Sequence, residues 1–321
     1  MKIVIPGGSG QIGQFLARAF VRAGEDVVVL TRHPSRVPGR SVLWDGRTLG
    51  DWTAEIDGAD VVVNLAGKSV NCRYTPENQR QIRASRVNST RAIGQAIARA
   101  TNPPKVWLQS STATIYRHRY VGANDDLTGD LGGHETGIPA TWNFSIDVAK
   151  AWEAALAEAD TPKTRKVAMR TAVVMNPEKG SPFDTLLRIV RKGLGGRAGD
   201  GQQYMSWIHD RDFERAIWFL IAKEELSGPV NICSPNPLPN EDFMRAILDA
   251  CGKRIALPAA EWMLELGAIL MKTETELIMK SRRVIPAKLP QAGFKFEHPQ
   301  WPESARDLVR RWRELQAKPR R

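Results

Sequence analysis

The first 24 residues of the chain, MKIVIPGGSGQIGQFLARAFVRAG (residues 1–24), decide the fold. The apolar run Lys2–Pro6 predicts a buried strand, and Gln11–Ala23 predicts a helix because its apolar residues recur at helical spacing. Three of the glycines in and just after the turn, Gly7, Gly10 and Gly13, are spaced three residues apart. In such a turn one glycine allows the tight bend, one lets the backbone approach a diphosphate, and one lets the helix lie close to the sheet. The stretch therefore predicts a dinucleotide-binding unit with the phosphates at the helix N-terminus.

The same alternation of strand and helix continues to residue 174. Further strands are predicted at Asp26–Leu30, Ser41–Trp44, Asp60–Leu65, Lys105–Ser111 and Lys166–Val174, and further helices at 75–100 and Trp142–Ala159. These strands lack polar alternation, which is typical of a parallel sheet covered by helices on both faces. Right-handed crossovers between such strands give the doubly wound α/β fold, the Rossmann fold.

The pattern changes after Val174. Proline and glycine become frequent, and Trp262–Met271 has the composition of a buried helix. We therefore predict two domains. Residues 1–175 and 208–232 form the dinucleotide-binding domain, and residues 176–207 and 233–321 form a smaller, mostly helical substrate domain, or cap.

Composition excludes several classes of protein. The formal net charge is +11, from 46 Lys and Arg against 35 Asp and Glu. Outside residues 306–321 the basic residues are mostly scattered singly among acidic ones, so we do not expect a nucleic-acid partner. Three separated cysteines exclude a disulfide framework, no His, Cys or carboxylate grouping has metal-ligand spacing, and we expect no metal. No apolar run reaches the roughly 18 residues of a membrane span, and no secretion signal opens the chain. We expect a cytoplasmic protein with no membrane partner.

The end of the second predicted strand bears on the choice of dinucleotide. An acidic residue there accepts hydrogen bonds from the ribose hydroxyls of NAD. The stretch TRHPSR (residues 31–36) contains no carboxylate, and Arg32 offers a planar guanidinium to a 2′-phosphate. The sequence therefore favours NADP(H); the alternative is that Arg32 is merely an exposed arginine.

Several motifs point to a known family. The spacing GxxGxxG, the NLAG of Asn64–Gly67 and the SSTATIY of Ser110–Tyr116 resemble the extended short-chain dehydrogenase/reductases, which include nucleotide-sugar epimerases and dehydratases. The resemblance sharpens to an epimerase-like subfamily, often labelled cell-division-inhibitor-like, with a C-terminal domain of unknown function. The stretches that carry it are NLAGKSVNCR (64–73), SRVNSTRAI (85–93), AWEAA (151–155), GLGGRAGDGQQYMSWIH (193–209), SGPVNICSPNP (227–237) and GFKFEHP (293–299).

The resemblance implies a role for individual residues. Those at the cofactor are Gly7, Ser9, Gly10, Gln11, Ile12 and Gly13 in the diphosphate loop, Arg32 at the adenosine ribose, Asp45 near the adenine, Asn64, Leu65, Ala66 and Gly67 beside the diphosphate and nicotinamide ribose, Ser110 at the end of the active-site strand, and Lys150 at the nicotinamide ribose. Thr112 matches the family's hydroxyl that binds a substrate oxygen. The implied partner is a small polar substrate, with a nucleotide-linked compound and a homodimer as open alternatives.

One position departs from the family pattern. Active short-chain reductases have a Tyr four residues before a Lys, and the lysine's charge lowers the pKa of the phenol so that it exchanges a proton. Here Lys150 is present, but the tyrosine position holds Ile146. Tyr116 is the nearest other phenol in the sequence, either a substitute acid or a core tyrosine. Lys150 is either a ribose contact or an exposed helix lysine.

Two classes of function therefore remain open. The first is an NADP(H)-binding oxidoreductase or epimerase-like enzyme in which Thr112, Tyr116 and Lys150 carry the chemistry. The second is a non-catalytic NADP(H) sensor that regulates a protein partner. Both classes remain open because a retained cofactor loop without the catalytic phenol fits either of them.

Overall fold

The computed structural model describes residues 1–33, 36–254, 256–259, 274 and 276–317. At its centre lies a seven-stranded sheet in which all neighbouring strands are parallel. The strands are β1 (Lys2–Pro6), β2 (Asp26–Thr31), β3 (Arg40–Leu43), β4 (Val61–Asn64), β5 (Val106–Thr112), β6 (Arg165–Thr171) and β11 (Gly228–Ile232), and their order across the sheet is β11-β6-β5-β4-β1-β2-β3. The order reverses between β1 and β4, the place where sheets of this kind bind ligands at the carboxyl ends of their strands. The predicted doubly wound α/β fold is confirmed.

Helices cover both faces of this sheet. The helices concerned are α1 (Gln11–Arg22), α2 (Pro76–Arg99), α3 (Ala140–Ala157) and α5 (Asp210–Ala222). Ile3 and Ile5 of β1 pack with α1 and α5 in one apolar cluster, whereas Val4 packs with α2 and α3 in another. Successive side chains of a strand point to opposite faces, so a sheet buried on both faces needs apolar residues throughout. This explains the absence of polar alternation.

The predicted strand Lys166–Val174 is two strands in the structure. Strand β6 ends at Thr171, and β7 (Val173–Met175) pairs with β10 (Trp207–His209), outside the main sheet. The backbone N–H of Ala172 still donates to the carbonyl of Ile232 in β11, so the chain leaves the sheet at that residue. A continuous apolar run does not reveal such a change of partner.

A third apolar cluster lies beyond β7. It contains Phe183, Trp207, Phe243, Trp301 and Trp312. The remaining elements are β8 (Leu194–Ala198), β9 (Tyr204–Met205), β12 (Leu238–Pro239), β13 (Leu257–Ala259), α4 (Pro182–Arg191), α6 (Asn240–Ala250), α7 (Glu276–Met279), α8 (Lys288–Gln291) and α9 (Trp301–Ala317).

The third cluster meets one of the two sheet clusters along β7 and β10. Val174 and Ile208 belong to the sheet cluster that contains Ile3 and Ile5, and their neighbours Met175 and Trp207 belong to the third cluster. The domain limits given above stay a prediction. The predicted helix Trp262–Met271 lies outside the described residues.

Candidate functional site

The glycine turn between β1 and α1 contains two kinds of glycine. The fold requires a glycine at some of these positions, and at one position it does not. Gly7 has a φ of +77°, and a Cβ there would lie 2.7 Å from the Cα of Ala66. A Cβ on Gly13 would lie 2.4 Å from the Cα of Gly8. At Gly10, which is exposed, a Cβ would meet only the Gly7 carbonyl oxygen, at 3.4 Å. The chain itself therefore leaves room at Gly10, where the sequence predicts a diphosphate.

Helix α1 offers a positive end at this turn. Its N-cap is Gly10, which has no side chain to accept the first N–H groups, and its first turn contains no acidic residue. Gln11 and Ile12 form the start of the helix. Unpaired N–H groups at a helix start attract anions.

Hydrogen bonds connect the segment after β1 with the end of β2, beside the start of α1. The Thr31 hydroxyl donates to the Ser9 hydroxyl at 3.0 Å, and the Gln14 amide donates to the Ser9 carbonyl at 2.8 Å. Arg32 follows Thr31 and is exposed, and within the described ranges its guanidinium has no hydrogen bond or ion pair. The cation is therefore available to a ligand at the carboxyl end of β2.

Asn64 shapes the turn after β4. Its buried amide donates to Gln109 at 2.9 Å, and its carbonyl oxygen accepts from the backbone N–H of Ala66 at 3.1 Å. The N–H of Leu65 donates to the Pro6 carbonyl, so the segment ending at the exposed Gly67 lies against the glycine turn. The structure thus brings the predicted diphosphate loop and the predicted ribose segment together.

Asp45 lies in a turn after β3. Partial burial would raise its pKa, but hydrogen bonds from Thr48 and Arg47 lower the pKa to about 2. Both carboxylate oxygens accept hydrogen bonds within this turn. The carboxylate is therefore ionised and engaged, and its contact with adenine stays a prediction.

Strand β5 ends at the predicted substrate edge of the sheet. Ser110 and Thr112 are half-buried there, and the Thr112 hydroxyl accepts from the N–H of Thr114 at 3.2 Å. The intervening Ser111 turns the other way and donates to Glu153 of α3 at 2.6 Å. Ser110 and Thr112 therefore share the side of the strand opposite to this buried contact.

Ile146 and Lys150 are one helical turn apart on α3. A Cβ on Gly132 would lie 2.7 Å from Cδ1 of Ile146, and a Cβ on Gly133 would lie 3.2 Å from Nζ of Lys150. Ile146 is fully buried, whereas Lys150 is half-buried and makes no hydrogen bond or ion pair with any described residue. This face of α3 offers an unpaired ammonium but no group that transfers a proton at position 146.

Tyr116 is a core residue, and the geometry argues against its predicted role as a substitute acid. The side chain is 1% exposed; its hydroxyl donates to Asn231 at 2.9 Å and accepts from Arg170 at 2.9 Å. Burial raises the pKa of Tyr116 to about 12, further from neutrality than a free phenol. The hydroxyl is engaged between β6 and β11, so we correct this assignment to a structural one.

Charged residues of the predicted cap reach the segment after β5, and the sequence analysis did not identify them. The ammonium of the fully buried Lys280 donates to the Thr114 carbonyl at 2.9 Å, and Arg282 donates to the Thr114 hydroxyl at 3.1 Å. Burial lowers the pKa of Lys280 to about 8 and raises that of Glu276, which accepts from Ser145 on α3. The basic run KSRR (280–283) is the sequence feature that contains these residues. Such a run ordinarily indicates an exposed surface and not buried cations.

His209, His298 and Asp307 also come together, although they are far apart in sequence. The two imidazole rings stack with centroids 3.7 Å apart and planes 19° apart. A metal binds in the plane of an imidazole, and two nearly parallel stacked planes do not meet at one ion. His209 Nδ1 accepts from the N–H of Arg211, and Nε2 lies 3.2 Å from Asp307. We therefore assign these residues to hydrogen bonding at the start of α5.

The burial of His209 makes stability depend on pH. Burial lowers its pKa to about 4, below the ordinary value of 6.5. Between these values the unfolded chain takes up a proton that the folded chain does not, so the free energy of unfolding falls as the pH drops from 6.5 to 4. At roughly 1.4 kcal/mol per pKa unit, the loss is about 3 kcal/mol.

Urea denaturation at pH 7 and pH 4 measures this loss. We expect His209→Gln, which has no titrating group, to lose about 3 kcal/mol less than the wild type over the same interval. Equal losses in the two proteins would contradict the assignment.

Known proteins resemble this chain over most of its length. The NAD dependent epimerase/dehydratase family matches residues 3–233, and a domain of unknown function (DUF1731) matches residues 259–308. An epimerase family protein from Staphylococcus aureus (strain MW2) is 28% identical over 311 residues, 96% of this chain and 98% of that protein. The epimerase family protein SDR39U1 of Bos taurus is 26% identical over 313 residues, 96% of this chain and 100% of that protein.

Solved structures show the same fold. Human SDR39U1, solved with NADPH, has a TM-score of 0.84 and 24% identity, covering 97% of this chain and 99% of that one. A nucleoside-diphosphate sugar epimerase from Corynebacterium glutamicum has a TM-score of 0.73 and 25% identity, covering 99% of this chain and 62% of that one.

Among the described residues, no helix has the length and apolar character needed to span a membrane.

The resemblance inferred from the motifs is confirmed by these comparisons. The family match begins in β1 and ends just after β11, so it contains the glycine turn and every strand of the central sheet. The chain therefore belongs to the NAD dependent epimerase/dehydratase family.

Proposed function

We propose that this protein is an NADP(H)-binding oxidoreductase or epimerase-like enzyme that acts on a small polar substrate. The observation that carries the proposal is the glycine turn: Gly10 leaves open space over an α1 N-terminus that has neither a side-chain cap nor an acidic first turn. The start of a helix in this state suits a diphosphate. The reduced nicotinamide would supply a hydride to a carbonyl carbon, and the residues of this chain would hold and orient the cofactor and the substrate.

The preference for NADP(H) over NAD(H) rests on Arg32. Its exposed guanidinium follows β2, has no partner among the described residues, and has no carboxylate beside it in the TRHPSR stretch. A guanidinium binds a phosphate through two parallel hydrogen bonds. The structure of human SDR39U1 was solved with NADPH, and this likeness supports the proposed preference for NADP(H).

Fluorescence titration with NADPH and NADH tests the cofactor preference. A charge-assisted contact is worth on the order of 1.5–3 kcal/mol, so the wild type should bind NADPH roughly ten-fold more tightly than NADH, or more. Arg32→Ala should remove most of that difference while leaving the affinity for NADH unchanged. Equal affinities of the wild type for the two cofactors would remove the argument.

For the chemistry we propose that Thr112 binds a substrate oxygen and that Lys150 binds the nicotinamide ribose. The half-buried hydroxyl at the end of β5 and the unpaired ammonium on α3 support these roles. Nucleotide linkage of the substrate is part of the proposal, supported by the likeness to the nucleoside-diphosphate sugar epimerase. A homodimer and a cytoplasmic location stay predictions.

Ile146 favours a second candidate, a non-catalytic NADP(H) sensor. The family's phenol is missing from α3, and Tyr116 is engaged in the core. Protonation by a placed side chain is typically worth about 10²–10⁴-fold in rate. Oxidation of NADPH in the presence of a panel of carbonyl compounds supports the enzyme. Tight NADPH binding without oxidation over the whole panel supports the sensor.

A further inference from the structure

A cavity of about 340 Å³ lies beside the first turn of α1. Gln11 and Gln14 line it from the helix, and Glu178, Lys179 and Gly180 line it from the turn between β7 and α4. This turn lies in the part of the chain that we predict to belong to the cap. The cavity therefore joins the predicted diphosphate end of the sheet domain to a segment that the sequence analysis did not connect with the cofactor.

The charges around this cavity are unequal. Glu178 is neutralised by an ion pair with Arg18 on α1. Asp184, which accepts from the N–H of Gly180, is paired with Arg188 and also accepts from Trp312. Both nearby carboxylates are thus engaged with partners on the protein.

The cation of Lys179 has no such partner. Its side chain belongs to an exposed residue and, in the described part of the chain, makes no hydrogen bond or ion pair. The first turn of α1, on the opposite wall, adds its positive end and carries no acid. An anion held between the two walls would be attracted from both sides.

We propose that Lys179 binds the diphosphate of the nicotinamide dinucleotide from the cap side, opposite the N-terminus of α1. The inference rests on the proposed function, because the diphosphate is the anion placed at Gly10 and Gln11. It assigns Lys179 to the part that NADPH and NADH share, whereas Arg32 is assigned to the 2′-phosphate that only NADPH has. A cap segment then contacts the cofactor directly, so cofactor binding and the position of this turn are coupled.

Titration of the full chain with NADPH and with NADH distinguishes the role proposed for Lys179 from the role proposed for Arg32. Lys179→Ala should weaken NADPH and NADH by the same factor, about three- to ten-fold, the value of one solvent-accessible charged contact. The salt dependence of binding should also decrease, because one attraction is lost. Lys179→Arg keeps the charge and should retain most of the affinity.

Lys163→Ala is the matched control, since it removes one exposed lysine from the loop before β6, at the opposite end of the sheet. It should leave both affinities unchanged, and both alanine variants should keep the melting temperature of the wild type. Unchanged affinities in Lys179→Ala overturn the inference, as does a loss confined to NADPH, which would place Lys179 at the 2′-phosphate. A wild type that binds neither cofactor overturns the proposed function itself.

Discussion

Replacing Glu153 with alanine is expected to lower the free energy of unfolding by about 3–5 kcal/mol, the cost of leaving a buried charge unpaired. Glu153 lies on α3 and forms two hydrogen bonds with Arg170 of β6, at 2.9 and 2.7 Å. The side chain of Arg170 is 9% exposed, so water does not replace the lost carboxylate. The change also removes the acceptor of Ser111 and loosens Arg170 from Tyr116.

Glu158→Ala provides the control for that experiment. Glu158, at the C-terminal end of the same helix, pairs with Arg91, and both side chains are more than half exposed. Such surface pairs contribute about 0–1 kcal/mol. Urea denaturation of both variants should therefore separate them clearly, and a Glu153→Ala loss no larger than that of Glu158→Ala would show that the buried pair does not stabilise the fold.

A second pair of variants separates folding from cofactor binding within the glycine turn. Gly10→Ala should keep the stability of the wild type within about 0.5 kcal/mol, because its Cβ meets no atom closer than 3.4 Å and its φ of −70° suits any residue. The methyl group would nonetheless occupy the space over the helix start. Loss of two charge-assisted hydrogen bonds at about 1.5 kcal/mol each corresponds to about 100-fold weaker NADPH binding.

Gly13→Ala should do the opposite and reduce stability itself. Its Cβ would lie 2.4 Å from the Cα of Gly8, a backbone atom that cannot turn aside. Forcing α1 away from the turn should cost about 3 kcal/mol, as overpacking in a tight interior does. Thermal melting with and without NADPH distinguishes the variants. If Gly10→Ala binds NADPH as tightly as the wild type, the space at Gly10 is not where the diphosphate lies.

The position of Ile146 links these results to the chemistry. Among the described residues Lys150 has no partner on this face of α3, whereas the hydroxyl of the predicted substitute, Tyr116, is engaged by Arg170 and Asn231. Lys280 and Arg282, from the C-terminal part of the chain, donate to Thr114 instead. These buried cations lie beside the end of β5, where the function that we propose requires a substrate.

The sequence by itself determined the features that depend on short stretches of chain. The glycine spacing, the helix start at residue 75 and the apolar strands are local patterns with local physical causes, and they predicted the sheet, the glycine turn and the family. The same holds for Ile146, because its significance comes from its spacing to Lys150 on one helix.

Only the tertiary structure decided the features that depend on which distant segments meet. Tyr116 belongs to the core because β6 and β11 bring Arg170 and Asn231 to its hydroxyl, 54 and 115 residues away in sequence. Lys179 lies beside the first turn of α1 because the chain leaves the main sheet after Thr171 and returns beside that helix. The physical reason is that burial and charge pairing are set by packing between segments, and side-chain spacing along the sequence carries no record of that packing.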